Sequence, residues 1–162
     1  MRPMNVIEVA ALVSVTGAVL AASVPSFLKN LHASRLTEAV DGLSELGTSA
    51  IVYSQDRELA ASFPPPAPLT PSVVPRGVAA EDPAGTWETP TWKALAFRFT
   101  HPHRYAFGFD VTPDPSRISF RAHAHGDLNG DGIVSTFELT GERRVGQSAL
   151  VLPGMAVHQE LE

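Results

Sequence analysis

Residues 127–138 read Asp-Leu-Asn-Gly-Asp-Gly-Ile-Val-Ser-Thr-Phe-Glu, with an oxygen-bearing side chain at positions one, three and five and a Glu at the twelfth. Every specified position fits the Asp-x-Asn-x-Asp-Gly-x5-Glu pattern of a calcium loop. Alternate oxygen ligands let a tight turn wrap one hard cation, and the glycine permits the sharp bend. The pattern assigns Asp127, Asn129 and Asp131 as side-chain ligands and Ile133 as a backbone carbonyl ligand. It adds Ser135 directly or through water, and Glu138 as a closing bidentate carboxylate. A paired-helix setting is not indicated, because the preceding "RISFRAHAHG" alternates like a strand. The expectation is therefore a calcium loop in a β setting. The competing reading is a metal-free hairpin turn, for which "NGDG" is a strong signal. A turn alone does not require the spaced oxygens or the Glu.

Two further groups carry chemistry. "HPH" and "HAH" place His101 with His103, and His123 with His125, on single faces of extended segments. Such pairs suit a transition metal, and equally suit hydrogen-bonded strand histidines. Ser, His and Asp are present, but no G-x-S-x-G elbow and no phosphate-cradling glycine loop occurs. An enzyme is not expected. With no cysteine there is no disulfide framework, thiolate metal site or Cys nucleophile. The formal net charge of -5 argues against a nucleic-acid surface, which needs clustered Lys and Arg.

The third feature is a carboxylate in an apolar setting. Residues 9–24 form a sixteen-residue run without a charge, and Glu8 stands at its mouth. The segment fits a membrane span when extended through Phe27 and Leu28. It also fits a secretory signal peptide with Arg2 as a thin basic region, or a buried helix of a soluble fold. A helix N-terminus favours a carboxylate by about 0.3–1 kcal/mol. That is too little to offset burial, so Glu8 calls for a positive partner.

These groups need elements to position them. Beyond Pro25, the residues Leu36, Ala39, Val40, Leu43, Leu46, Ala50 and Tyr53 recur at spacings of three and four, one apolar helical stripe. The simplest prediction is one long helix from about Asn5 to about Ala60, with bends at Gly17, Pro25, Gly42 or Gly47. At about 1.5 Å per residue such a helix would be roughly 80 Å long. Six prolines between Pro64 and Pro75 then mark an extended connector, with Val73, Val74 and Trp87 expected to dock it. Trp87 and Trp92 are expected to anchor it to a sheet. Period-two runs follow in "KALAFRF", "RYAFGFDV" and "RISFRAHA", with "IVSTFELTG" and "ALVLPG" as one or two further strands. The expectation is an α+β chain: one long N-terminal helix packed on a small antiparallel sheet of three to five strands. Its segments are a short leader at 1–3, a hydrophobic half-helix at 4–28 and an amphipathic half-helix at 29–60. A Pro-rich connector at 61–91 and a sheet domain at 92–162 complete it.

At this point "NVIEVAALVSVTGAVLAASVPSFL" resembles the amino-terminal segment of type IV pilins and type II secretion pseudopilins. In that family the mature chain starts with a methylated residue, a Glu stands fifth, a Gly often comes nine residues after the Glu, and a helix-bending Pro seventeen after it. Met4, Glu8, Gly17 and Pro25 keep these spacings, and Pro3 stands where the family has a Gly before the cleavage point. The resemblance implies a pilin-like fold and a structural filament subunit, with Met4, Glu8, Gly17 and Pro25 serving assembly. It implies a prepilin peptidase, an inner-membrane assembly machine, and the lipid bilayer as the environment before assembly. The location implied is the bacterial inner membrane, then a periplasmic or extracellular filament. Glu8 of one subunit would meet the Met4 α-amine of the next and set register. Some pseudopilins also carry calcium in sheet-side loops, in keeping with the reading of 127–138. The alternative from the residues alone is a secreted calcium-binding module behind a cleaved signal peptide.

Overall fold

A computed structural model describes residues 36–159, all within the second of the chain's two units, Arg35–Glu162. The expected assembly residues Met4, Glu8, Gly17 and Pro25 lie outside the described residues. The described chain begins in a helix, α1, covering residues 36–54. A 3-10 turn at Leu59–Ala61 leads to strand β1 (Ala67–Thr70) and a short helix α2 (Pro90–Ala94). Then come β2 (Tyr105–Pro113), β3 (Arg117–Gly126), β4 (Ser135–Arg144), β5 (Leu150–Val151) and β6 (Ala156–His158). The sheet is antiparallel and ordered β1-β2-β3-β4-β5, with β6 also paired to β4. Among the described residues no helix is long and apolar enough to cross a membrane.

This corrects the expected pilin-like α+β class of one long N-terminal helix packed on a small sheet. The described residues are mainly a six-stranded antiparallel sheet, with one helix of 19 residues and the single turn of α2. Two physical causes separate expectation from structure. First, α1 stops at residue 54, six residues short of Ala60. Asp56 adopts a left-handed φ of 56°, and the Arg143 Nη1 from β4 donates to the carbonyls of Ser54 and Arg57, both at 2.8 Å. A side chain far along the sequence thus satisfies the helix end. Second, the sheet recruits β1 and β6, strands of four and three residues too short to show a period of two, while β5 falls within the expected "ALVLPG".

"KALAFRF" is also not a strand. Pro90 opens α2 at its first turn, the Thr89 side chain accepts the Trp92 N–H, and Ala96 turns the chain at φ 51°. Phe97 is nevertheless buried, delivered by a turn instead of a pleat.

The inner face of the sheet follows from register. Tyr105, Phe107 and Phe109 of β2 stand opposite Gly126, Ala124 and Ala122 of β3, which face Ser135, Phe137 and Leu139 of β4. Bulky side chains of β2 and, on β4, Phe137 and Leu139 thus flank small ones on the central strand, so the rings pack over β3. Phe109 and Phe120 stack at 5.3 Å. Onto this face α1 lays Ala39, Leu43, Leu46 and Ala50, all fully buried, whereas Val40 from the expected stripe is 40% exposed. Gly42 and Gly47 are contact points: a Cβ on Gly42 would come within 2.6 Å of Phe107, and one on Gly47 within 2.7 Å of Leu139. Their lack of a side chain lets the helix backbone rest on the sheet. Glu38 ties the same helix to β2, accepting the N–H groups of Arg104 at 2.7 Å and Tyr105 at 3.0 Å.

The connector docks through aromatics. Trp92 is fully buried and donates its indole N–H to Thr70 Oγ1 at 2.9 Å. Trp87 is buried among Trp92, Phe97 and Phe99. Val73, by contrast, is 73% exposed and takes no part.

Candidate calcium loop and the polar sheet face

The loop after β3 is wound by its own side chains. Asp127 Oδ1 accepts the Gly130 N–H at 2.7 Å, and its Oδ2 accepts that of Gly132 at 3.0 Å. Asn129 Oδ1 accepts the Asp131 N–H at 2.8 Å, and Asp131 Oδ1 accepts that of Ile133 at 2.7 Å. The Asn129 amide also donates to Asp131 Oδ2 at 3.0 Å. Three side chains at alternate positions therefore fold over one turn, the wrapping a hard cation needs. Gly130 and Gly132 supply the left-handed φ values of 83° and 93° that make this turn possible.

The loop is braced from the connector. Arg76 pairs with Asp127 as an isolated bridge, Gly77 N–H donates to the Asp127 carbonyl at 2.7 Å, and Arg76 Nε lies 3.9 Å from Asp127 Oδ2. Asp127 is buried at 2% exposure, and its carboxylate is held by two main-chain N–H groups with the Arg76 guanidinium beside it.

The second half of the pattern is arranged differently. Ser135 and Glu138 both lie on β4, three residues apart. On a helix that spacing returns to one side; on a strand of period two it points to opposite faces. Ser135 faces inward and donates its hydroxyl to the Gly126 carbonyl at 3.0 Å. Glu138 faces outward, opposite His123, with Arg121 Nη1 at 3.4 Å from its Oε1. The structure thus brings together Asp127, Asn129, Asp131 and the main chain of Ile133, and does not bring Glu138 to them. A calcium ion at this first half would be held by two carboxylates, one amide oxygen and main-chain carbonyls. The remainder of its six to eight oxygens would be water. Among the described residues no three His, Asp or Glu side chains stand as a formed metal group.

Tyr105 sits at the base of the loop, its ring against Gly126. Its hydroxyl is buried without a hydrogen-bond partner, and the nearby Ser135 hydroxyl donates to the Gly126 carbonyl. Burial pushes the phenol up to about 12, with Ser135 opposing and Glu38 adding to the rise.

The outer face of β2, β3 and β4 carries a polar network that sequence reading did not find. Arg121 Nη2 donates to Asp110 Oδ2 at 2.8 Å while its Nη1 reaches Glu138, and Asp110 holds the guanidinium above its ordinary range. Beside it lie His123 and His125, ring centroids 5.2 Å apart. Burial pulls both imidazoles below their ordinary value; Asp110 opposes this at His123, and His123 itself adds to it at His125. The alternation of β3 was legible, but which residues stand opposite it was not, because register is absent from a single strand's sequence.

The "HPH" pair is not a pair in space-filling terms. His101 is exposed and bonded to Thr100. His103 is buried, with Nδ1 at 2.7 Å from the Tyr105 carbonyl and Nε2 at 2.8 Å from Asp82 Oδ2. Asp82 also accepts the Trp87 indole N–H at 2.6 Å, so this histidine pins the connector to the start of β2.

No family model, curated protein or solved structure matches the chain.

Proposed function

We propose that this chain is a structural subunit of a type IV pilus or a related secretion pseudopilus. The observation that carries the reading is the spacing of Met4, Glu8, Gly17 and Pro25 in a run whose residues 9–24 bear no charge. Before assembly the segment 4–28 resides in the inner membrane, where the prepilin peptidase cleaves before Met4 and the assembly machinery takes up the subunit. In the filament, neighbouring copies of that segment replace lipid, and Glu8 pairs with the α-amine that cleavage creates on Met4 of the next subunit. A carboxylate in such surroundings persists only when paired, so the pair selects one axial stagger from the many an apolar surface would tolerate.

The sheet domain is the part displayed to the exterior. Calcium at Asp127, Asn129, Asp131 and the Ile133 carbonyl supplies positive charge where two carboxylates crowd one turn. It braces the β3–β4 junction against the connector at Arg76. Replacing Glu8 by Ala tests the reading. In cells making the native protein, Glu8→Ala is expected to leave the subunit in the membrane fraction and remove filaments from electron micrographs. Filaments formed at wild-type number by Glu8→Ala would overturn the register role of Glu8, and a wild-type chain released from the membrane without forming filaments would overturn the subunit reading and favour the secreted calcium-binding module.

A further inference from the structure

Glu138 completes the calcium pattern in sequence but occupies the outer sheet face in space, directly opposite His123 in the β3–β4 register. His125 lies two residues further along β3 on the same face, so three metal-competent side chains share one patch. Two imidazoles on one tetrahedral zinc, with Zn–N near 2.0–2.1 Å, place their ring centroids roughly 5 Å apart. The His123 and His125 rings stand at 5.2 Å.

The ring nitrogens are already sorted. His125 Nδ1 is held by Thr136 Oγ1 at 2.9 Å, a bond that fixes ring orientation and leaves Nε2 as the ligand atom. His123 is turned so that Nε2 lies over Gly108, a position without a Cβ to obstruct it. Its Nδ1 is buried with no hydrogen-bond partner, 3.6 Å from Asp110 Oδ2. A buried nitrogen without a partner is costly in an ordinary strand; with the metal on Nε2, the Nδ1–H has the Asp110 carboxylate as its acceptor.

One group opposes binding: Arg121, whose guanidinium joins Asp110 and Glu138. Its charge stands where a bound cation would stand. We propose that His123, His125 and Glu138 form a site for a borderline divalent transition metal ion of the zinc class, entered when Arg121 releases Glu138. Asp110 remains beside His123 to orient it. The site is separate from the calcium loop, whose hard oxygen donors select a different ion.

Titration of the full-length chain in detergent micelles with zinc sulfate, followed by calorimetry, tests this. The wild type is expected to take up one equivalent that excess calcium does not displace. Replacement His125→Gln should weaken binding at least tenfold, and Arg121→Ala should tighten it severalfold, with circular dichroism unchanged in both. No zinc uptake by either the wild type or Arg121→Ala would overturn the proposal. So would zinc binding that survives His125→Gln but is lost in Asp131→Asn, which would place the ion in the loop.

Discussion

The two faces of β2, β3 and β4 are built from the same 29 residues and obey opposite rules. The inner face is aromatic and aliphatic, closed by α1, and its fit depends on missing atoms at Gly42, Gly47, Gly126, Ala124 and Ala122. The outer face is charged, half-exposed and organised by Arg121 between Asp110 and Glu138. The inner face therefore carries stability, and the outer face is free to carry chemistry. Burial of apolar surface scales with area, whereas exposed ion pairs contribute little each.

The largest expected effect follows from breaking the inner face. Phe107 is fully buried and meets Gly42, Phe97 and Phe99. Phe107→Ala is expected to cost about 3–5 kcal/mol, read from the shift of the urea midpoint.

Tyr105 marks a polar flaw on that face. Because its hydroxyl has no partner, Tyr105→Phe should stabilise by about 1 kcal/mol, the desolvation of an unmade bond being removed. The pH profile distinguishes this from simple repacking. With the folded phenol pushed up to about 12, the unfolded chain loses its proton first. Stability therefore stays whole below the ordinary value near 10 and falls as pH rises from there toward the folded value. Tyr105→Phe should flatten that decline in alkaline denaturation curves; an unchanged decline would contradict the assignment.

The smallest effect belongs to the outer face. Glu138→Gln should change stability by less than about 1 kcal/mol and leave calcium affinity unchanged, while Asp131→Asn lowers that affinity about tenfold or more. Calorimetry with calcium reads both. Equal loss in the two variants would mean that the twelfth position reaches the loop after all.

How much of this the sequence disclosed depends on how local each cause is. The stripe through Ala39, Leu43, Leu46 and Ala50 and the alternation of β2, β3 and β4 are local, and the structure puts those residues in the core. The end of α1 is set by Arg143, 89 positions from Ser54, and no window of sequence contains that bond. In α2 the signal was present, since Thr89 followed by Pro90 is a helix start. The alternation of Leu95, Phe97 and Phe99 outweighed it, and the strand expectation failed there. The loop shows the same division: Asp127, Asn129 and Asp131 act within one turn. Glu138 was reached by counting along a pattern made for a helix, which a strand carries to the wrong face.

The account stands or falls on the N-terminal segment, whose Glu8 needs the amine that processing would create. Intact-mass and N-terminal analysis of the native protein reads this directly. A mature chain beginning at a methylated Met4 is the predicted result. A chain beginning near Val24 would contradict it and identify the segment as a discarded signal peptide.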